Sequence, residues 1–267
     1  MHPFDDAISL TPVNDNRFRG STSAAYGNMV GPFGGVTNAV LLNAALLHPE
    51  RQGEPVALTV NFAGPVADGE FEIEATPVRT NRSTQHWSLK QLRGENVQTT
   101  ATAVFATRRE GWSAAEAVAP EGIAAPESLP RLTSDQTPAW FQRYDMRISE
   151  GGLDALDGRG HLDSLTRLWI RDDPPRPLSF TSLAAVCDNF FPRIFLRLGR
   201  VVPAGTVSMT TYFHAEEAHL REQADGFVLG VARGLNFRDG FFDQSAEIWS
   251  DTGQLLASSH QVVYYRS

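Results

Sequence analysis

The chain has 267 residues, with 31 acidic against 23 basic side chains and a formal net charge of −8. That surplus of acid leaves no basic footprint for sequence-independent nucleic-acid binding, and a 42% hydrophobic share with 20% charged residues excludes general disorder. A single cysteine, Cys187, excludes an internal disulfide or a zinc ribbon. No apolar run approaches the ~20 residues of a bilayer span. The start, MHPFDDAISLTP, carries acids and a proline where a signal peptide needs cations and an apolar stretch. These features point to a cytoplasmic protein with no membrane or nucleic-acid partner.

In chain order, a glycine-rich turn at Gly31–Gly35 opens an apolar helical run, VTNAVLLNAALLH. Strand-like stretches follow: PVALTVNFAG, EFEIEATPVRT, TQHWSLKQLR and NVQTTATAVFATRR, the last alternating Val97, Thr99, Ala101, Ala103 and Phe105 on one face. Between Arg109 and Pro138 the composition turns to Ala, Pro, Glu and Ser, and prolines at 120, 126, 130 and 138 break any helix. This reads as a linker packed along the surface, dividing the chain into a unit at 1–108, a joining segment at 109–137 and a unit at 138–267. The second unit repeats the order of the first. WFQRYDMRI and LTRLWIRDD read as strands, SFTSLAAVCDNFF as a helix stopped by Pro192, and four strand-like stretches close the chain, with a hairpin turn at Asp251-Thr252-Gly253.

Such repetition means a duplicated α+β unit. A helix apolar all round is buried, so the sheet of each unit has to wrap its helix, which is the hotdog arrangement. Two tandem hotdog repeats would join their antiparallel sheets edge to edge around long central helices, covering edges that otherwise invite aggregation. The exposed outer sheet faces predict a homo-oligomer.

Several fragments resemble the tandem-hotdog acyl-CoA thioesterases typified by bacterial thioesterase II. In the first unit they are Phe33-Gly34-Gly35, Asn61-Phe62 followed by Gly64-Pro65, and Arg79-Thr80-Asn81-Arg82-Ser83. In the second they are Trp169-Ile170-Arg171, Asp188, Thr206-Val207-Ser208 and Gln261. The resemblance covers nearly the whole chain apart from the linker. It implies hydrolysis of acyl-CoA without a metal or organic cofactor, by a trio matching Asp188, Thr206 and Gln261 that activates a water. Ser208 departs from the typical member, which carries an acid there.

The residues themselves fit that chemistry. Thioester hydrolysis needs a nucleophilic water, a group to take its proton and donors for the oxyanion. Asp188 lies in an otherwise uncharged apolar run, where desolvation makes its anion more basic, and a helix ending near Pro192 would add a negative dipole end. Thr206 and Gln261 offer a hydroxyl and an amide that both donate and accept; the bland alternative leaves Thr206 an ordinary strand residue and Gln261 facing solvent. Aligning Phe62 with Phe213 sets Pro55 opposite Thr206, and aligning Val97 with Leu255 sets Ala103 opposite Gln261, so the first unit cannot carry the trio. Gly34 and Gly35 either aim N–H groups at a substrate carbonyl or simply form a tight turn, and Arg79 and Arg82 are candidates for the phosphates of coenzyme A. His214 and His219, near Glu216 and Glu217, depart from HExxH spacing, and Cys187 reads as packing. Two other functions compete with the thioesterase: a non-catalytic acyl-CoA binding protein, and a hotdog enoyl-CoA hydratase or dehydratase, whose usual histidine after the Asp is missing from Asp188-Asn189-Phe190-Phe191-Pro192.

Overall fold

The computed structural model describes residues 1–133, 137–152 and 156–266; residues 134–136 of the expected linker, and 153–155 and 267 of the expected second unit, lie outside the described residues. The first half contains α1 (Pro3–Ala7), β1 (Thr11–Asn14), β2 (Arg17–Ser21), α2 (Gly34–Leu47), β3 (Glu54–Phe62), β4 (Glu70–Thr80), β5 (Thr84–Arg93) and β6 (Asn96–Ala106). The second contains β7 (Tyr144–Glu150), β8 (Thr166–Asp172), α3 (Phe180–Val186), α4 (Arg193–Leu198), β9 (Ala204–Phe213), α5 (Glu217–Gln223), β10 (Val228–Arg233), β11 (Phe237–Arg238), β12 (Phe241–Trp249) and β13 (Leu255–Tyr265).

All the strands join one antiparallel sheet, ordered β1-β2-β4-β5-β6-β3-β9-β13-β12-β10-β8-β7, with β11 paired to β12. Outward from the middle the two sides repeat each other strand for strand. At the centre β3 pairs with β9, and Thr59 faces Thr210, their hydroxyl oxygens 3.0 Å apart. Because Phe62 corresponds to Phe213, Thr59 corresponds to Thr210, so this pair marks a pseudo-twofold axis through the sheet. The symmetry extends to irregularities: the ladders skip Val56 in β3 and Val207 in β9, two corresponding bulges. The fold is a double hotdog, as the repeated pattern and the buried helical runs imply.

Helix α2 carries no charge and buries ten residues, from Gly35 to Ala45, so it lies in the core against α3 and the strands of its own repeat. It ends at Leu47 because His48, preceding Pro49, takes an extended conformation. The second helical run is shorter than the sequence predicts. Ser179 and Ser182 form a reciprocal cap that starts α3, but the helix stops at Val186, tightening into turns in which Asp188 and Asn189 donate to the carbonyls of Ala185 and Val186. Pro192 then starts α4 as its N-cap. Two further expectations shift. Ala139–Arg143 is a 3-10 turn, not strand, and Val97 points outward because the β5–β6 ladder skips Gln98 and reverses the alternation before it.

Candidate active site

Asp188 occupies the turn after α3 and is partly buried. Burial raises its pKa from the ordinary 3.8 to about 7; hydrogen bonds from the Gln261 side chain and the Gly35 N–H pull the other way without cancelling the effect. The carboxyl faces the first turn of α2, whose positive dipole end opposes the C-terminal end of α3. The expected upward push from the α3 terminus is therefore offset, and desolvation is what raises the group.

Both glycines of the α2 start touch this site. A Cβ on Gly34 would lie 2.6 Å from Asp188 Oδ2, so only glycine leaves that oxygen uncovered. A Cβ on Gly35 would lie 2.6 Å from the Ala185 carbonyl oxygen and 2.4 Å from the Phe33 ring. The N–H of Gly35 faces the Asp188 carboxylate and favours its charged form.

The three trio residues meet although β9, β13 and the α3 turn are far apart in sequence. Thr206 Oγ1 donates to Gln261 Oε1 at 2.8 Å, and Gln261 Nε2 donates to Asp188 Oδ1 at 3.3 Å. They form a chain with Gln261 in the middle, not three spokes on one point. The threonine hydroxyl fixes the amide so that its donor end faces the carboxylate. Gln261 is only 4% exposed, whereas Thr206 and Asp188 are partly open. The first repeat has Phe105 and Pro55 paired where the second has Val263 and Thr206, and Ala103 in the place of Gln261.

Other singled-out residues lie elsewhere. Arg79 and Arg82 are exposed at the β4–β5 hairpin, with Arg79 bonded to Asn81. Through the ladders Arg79 lines up with Tyr212, four strands from β9 and about 20 Å along it from Thr206. The structure does not bring these arginines to the trio. Burial pushes the Cys187 thiol up to about 12, where it stays protonated and inert. His214 bonds Ser258, and His219, in α5, accepts from the Glu216 N–H. Among the described residues no group of three or more His, Cys, Asp or Glu side chains is placed to hold a metal ion.

Sequence reading missed Arg193. It is fully buried, pairs with no acid among the described residues, and donates to the carbonyls of Phe191 and Ser164, to Gln244 Oε1 and to Thr166 Oγ1. Gln244 is the ladder partner of Gln261. Arg193 thus ties the Asp188 turn to β8 and β12. The only signal in sequence is an arginine set directly after the apolar Phe190-Phe191-Pro192.

A cavity of about 530 Å³ lies away from the trio, between the C-terminal part of α2 and the start of α3. No helix of the described residues is long and apolar enough to cross a membrane.

Comparison with known proteins agrees with the two-repeat fold. The profile of the acyl-CoA thioesterase N-terminal domain matches residues 23–106, and that of the acyl-CoA thioesterase C-terminal domain matches residues 115–265. A conserved hot dog fold protein of unknown function from Alicyclobacillus acidocaldarius is 49% identical, with a TM-score of 0.95 over 100% of this chain and 99% of its own. The acyl-CoA thioesterase II TesB2 from Mycobacterium marinum shares the fold at 19% identity, with a TM-score of 0.77 and 98% of each chain covered. A tesB protein from Mycobacterium avium subs paratuberculosis does so at 17% identity, with a TM-score of 0.79 over 100% of both chains. No curated protein sequence matches this chain. With both domain profiles matched in order on the two repeats, the chain belongs to the acyl-CoA thioesterase family of double hotdog proteins.

Proposed function

We propose that this protein hydrolyses acyl-CoA to a free carboxylic acid and coenzyme A, using a water activated by Asp188 and oriented through Gln261 and Thr206. The observation that carries this reading is the hydrogen-bonded chain from Thr206 through Gln261 to a carboxyl whose pKa is raised to about 7. A base poised near the working pH combines availability of the anion with strength.

In the reaction the Asp188 carboxylate takes a proton from water as the oxygen attacks the thioester carbon. The C–S bond of the tetrahedral intermediate then breaks, and the proton on Asp188 passes to the departing thiolate. Gln261 has a second Nε2 N–H beyond the one given to Asp188, available to the water or the oxyanion. Gly34 keeps Asp188 Oδ2 uncovered for the water. The same reading takes the protein as a cytoplasmic homo-oligomer needing no cofactor; light scattering on the purified protein checks the assembly, with a 29.3 kDa species the contrary result.

Thiol release measured across acyl-CoAs of rising chain length tests the function. Activity with the wild type and its near-complete loss in Asp188→Asn are the expected results. Wild-type protein inert on every acyl-CoA, or a fully active Asp188→Asn variant, overturns the reading.

A further inference from the structure

The pseudo-twofold axis at Thr59 and Thr210 carries the trio site onto a second place in the molecule. There the start of β3 replaces the start of β9, and the end of α2 replaces the turn after α3. Asn43 takes the position of Asp188. Each is the one partly exposed residue in an otherwise buried stretch, and each lies by the opening of the opposite helix, Asn43 near Ser179 and Asp188 near Gly34. Pro55 and Ala103 stand for Thr206 and Gln261. The 530 Å³ cavity lies at this second place, with Asn43, Ser179 and Glu54 in its wall.

We infer that this cavity is a second acyl-CoA site that binds without hydrolysis, an inference resting on the thioesterase reading of the first. Its volume lies in the range of small-molecule sites. Leu46, Leu178, Phe180 and Leu220 give it an apolar wall suited to an acyl chain. Arg51 and Arg221 are exposed at its edge, and among the described residues neither guanidinium forms an ion pair or hydrogen bond. Three acids share the lining: Asp5 pairs with Arg176 at 2.8 Å, Glu54 accepts the Glu217 N–H at 3.4 Å, and Glu217 stands one helical turn before Arg221. Neither arginine is paired with these acids, so both can meet phosphate oxygens. The hairpin bearing Arg79 and Arg82 is fastened to the same end, with Gln85 bonded to the Glu50 carbonyl and to the Gln52 N–H, each at 2.9 Å. Cations that the trio cannot reach thus collect around its symmetry mate. Of the three corresponding places only Asn43 carries an amide, which donates to the Ile8 carbonyl at 2.8 Å, so no carboxylate stands in the place of Asp188 to activate water.

Equilibrium dialysis of Asp188→Asn protein against octanoyl-CoA tests the inference. Two molecules per chain are expected. Adding Arg51→Glu and Arg221→Glu, both exposed positions, should weaken one class of sites at least tenfold, while the same pair on the wild-type background leaves the kcat of hydrolysis unchanged. One molecule per chain, unaffected by the arginine changes, with normal wild-type hydrolysis, overturns the second site and leaves the thioesterase reading standing. Neither binding nor hydrolysis by the wild type overturns both.

Discussion

Asp188 keeps its proton to a pH at which an ordinary aspartate has lost it, and the energy of that difference is stored in the fold. Its pKa lies near 7 in the native protein against 3.8 for an unburied aspartate. Between those values the folded chain holds a proton that the unfolded chain has released, so stability falls as pH rises through that window and levels off above about 7. Asp188→Asn should therefore lower hydrolysis by roughly 10²–10⁴-fold. It should also make the protein more stable than the wild type at pH 8, by at most about 4 kcal/mol, while the two melt together near pH 4. Asp172, buried at 6% exposure and raised to about 7 by burial, supplies the control. Asp172→Asn should show the same pH-dependent gain without the loss of activity. Denaturant titrations at the two pH values, paired with thiol release, check both. The adjacent glycines separate function from fold in a similar way. Gly34→Ala sets a methyl against the Asp188 carboxylate, and is expected to cut kcat at least tenfold with little change in Tm. Gly35→Ala meets the Ala185 backbone carbonyl, and is expected to destabilise by about 1–3 kcal/mol.

At the scale of elements, strands were legible and their irregularities were not. EFEIEATPVRT and TQHWSLKQLR coincide with β4 and β5, because alternation and turn residues bound them on both sides. Thr206 shows the limit. Met209, Thr211 and Phe213 point inward, so strict alternation would send Thr206 outward; the bulge at Val207 turns it back to the core face beside Val263. Nothing in the local pattern announces that bulge, and Thr206 was placed by family resemblance. The break of the second helical run at Val186 was partly visible in Pro192, but the anchoring of the resulting turn by Arg193 was not, since it depends on acceptors from β8 and β12 that are close only in the fold. That anchor carries its own prediction. Arg193→Lys cannot reach all of its acceptors, each of which costs about 1–3 kcal/mol when left buried and unpaired. A marked fall in the urea midpoint is expected, and an unchanged midpoint would show that the guanidinium is not what holds the turn.

For the whole molecule, the question is what joins the repeats. The segment from Arg109 to Gly122 is exposed for most of its length, with Trp112 at 90% exposure, and further on Trp169 and Arg147 hold the carbonyls of Ala124 and Pro126 against the second repeat. The covalent connection therefore contributes little at its first part. The halves are joined instead by the β3–β9 ladder from Ala57–Tyr212 to Asn61–Ser208, by α2 lying on α3, and by Phe33 stacked on Trp140 with ring centroids 4.2 Å apart. The candidate site crosses this same junction, since Asp188 comes from one repeat and its Gly34–Gly35 wall from the other. A chain split between Ser113 and Ala114, with both pieces expressed together, should accordingly co-purify and hydrolyse acyl-CoA at a rate within about tenfold of the intact protein, because loop closure over a short segment adds only a modest entropic term. The C-terminal piece alone holds all three trio residues, yet it should be inactive. It would expose the edge of β9, which invites aggregation, and it would leave Asp188 without the Gly35 N–H. A C-terminal piece that is monomeric and active by itself would show that the first repeat is dispensable to the site.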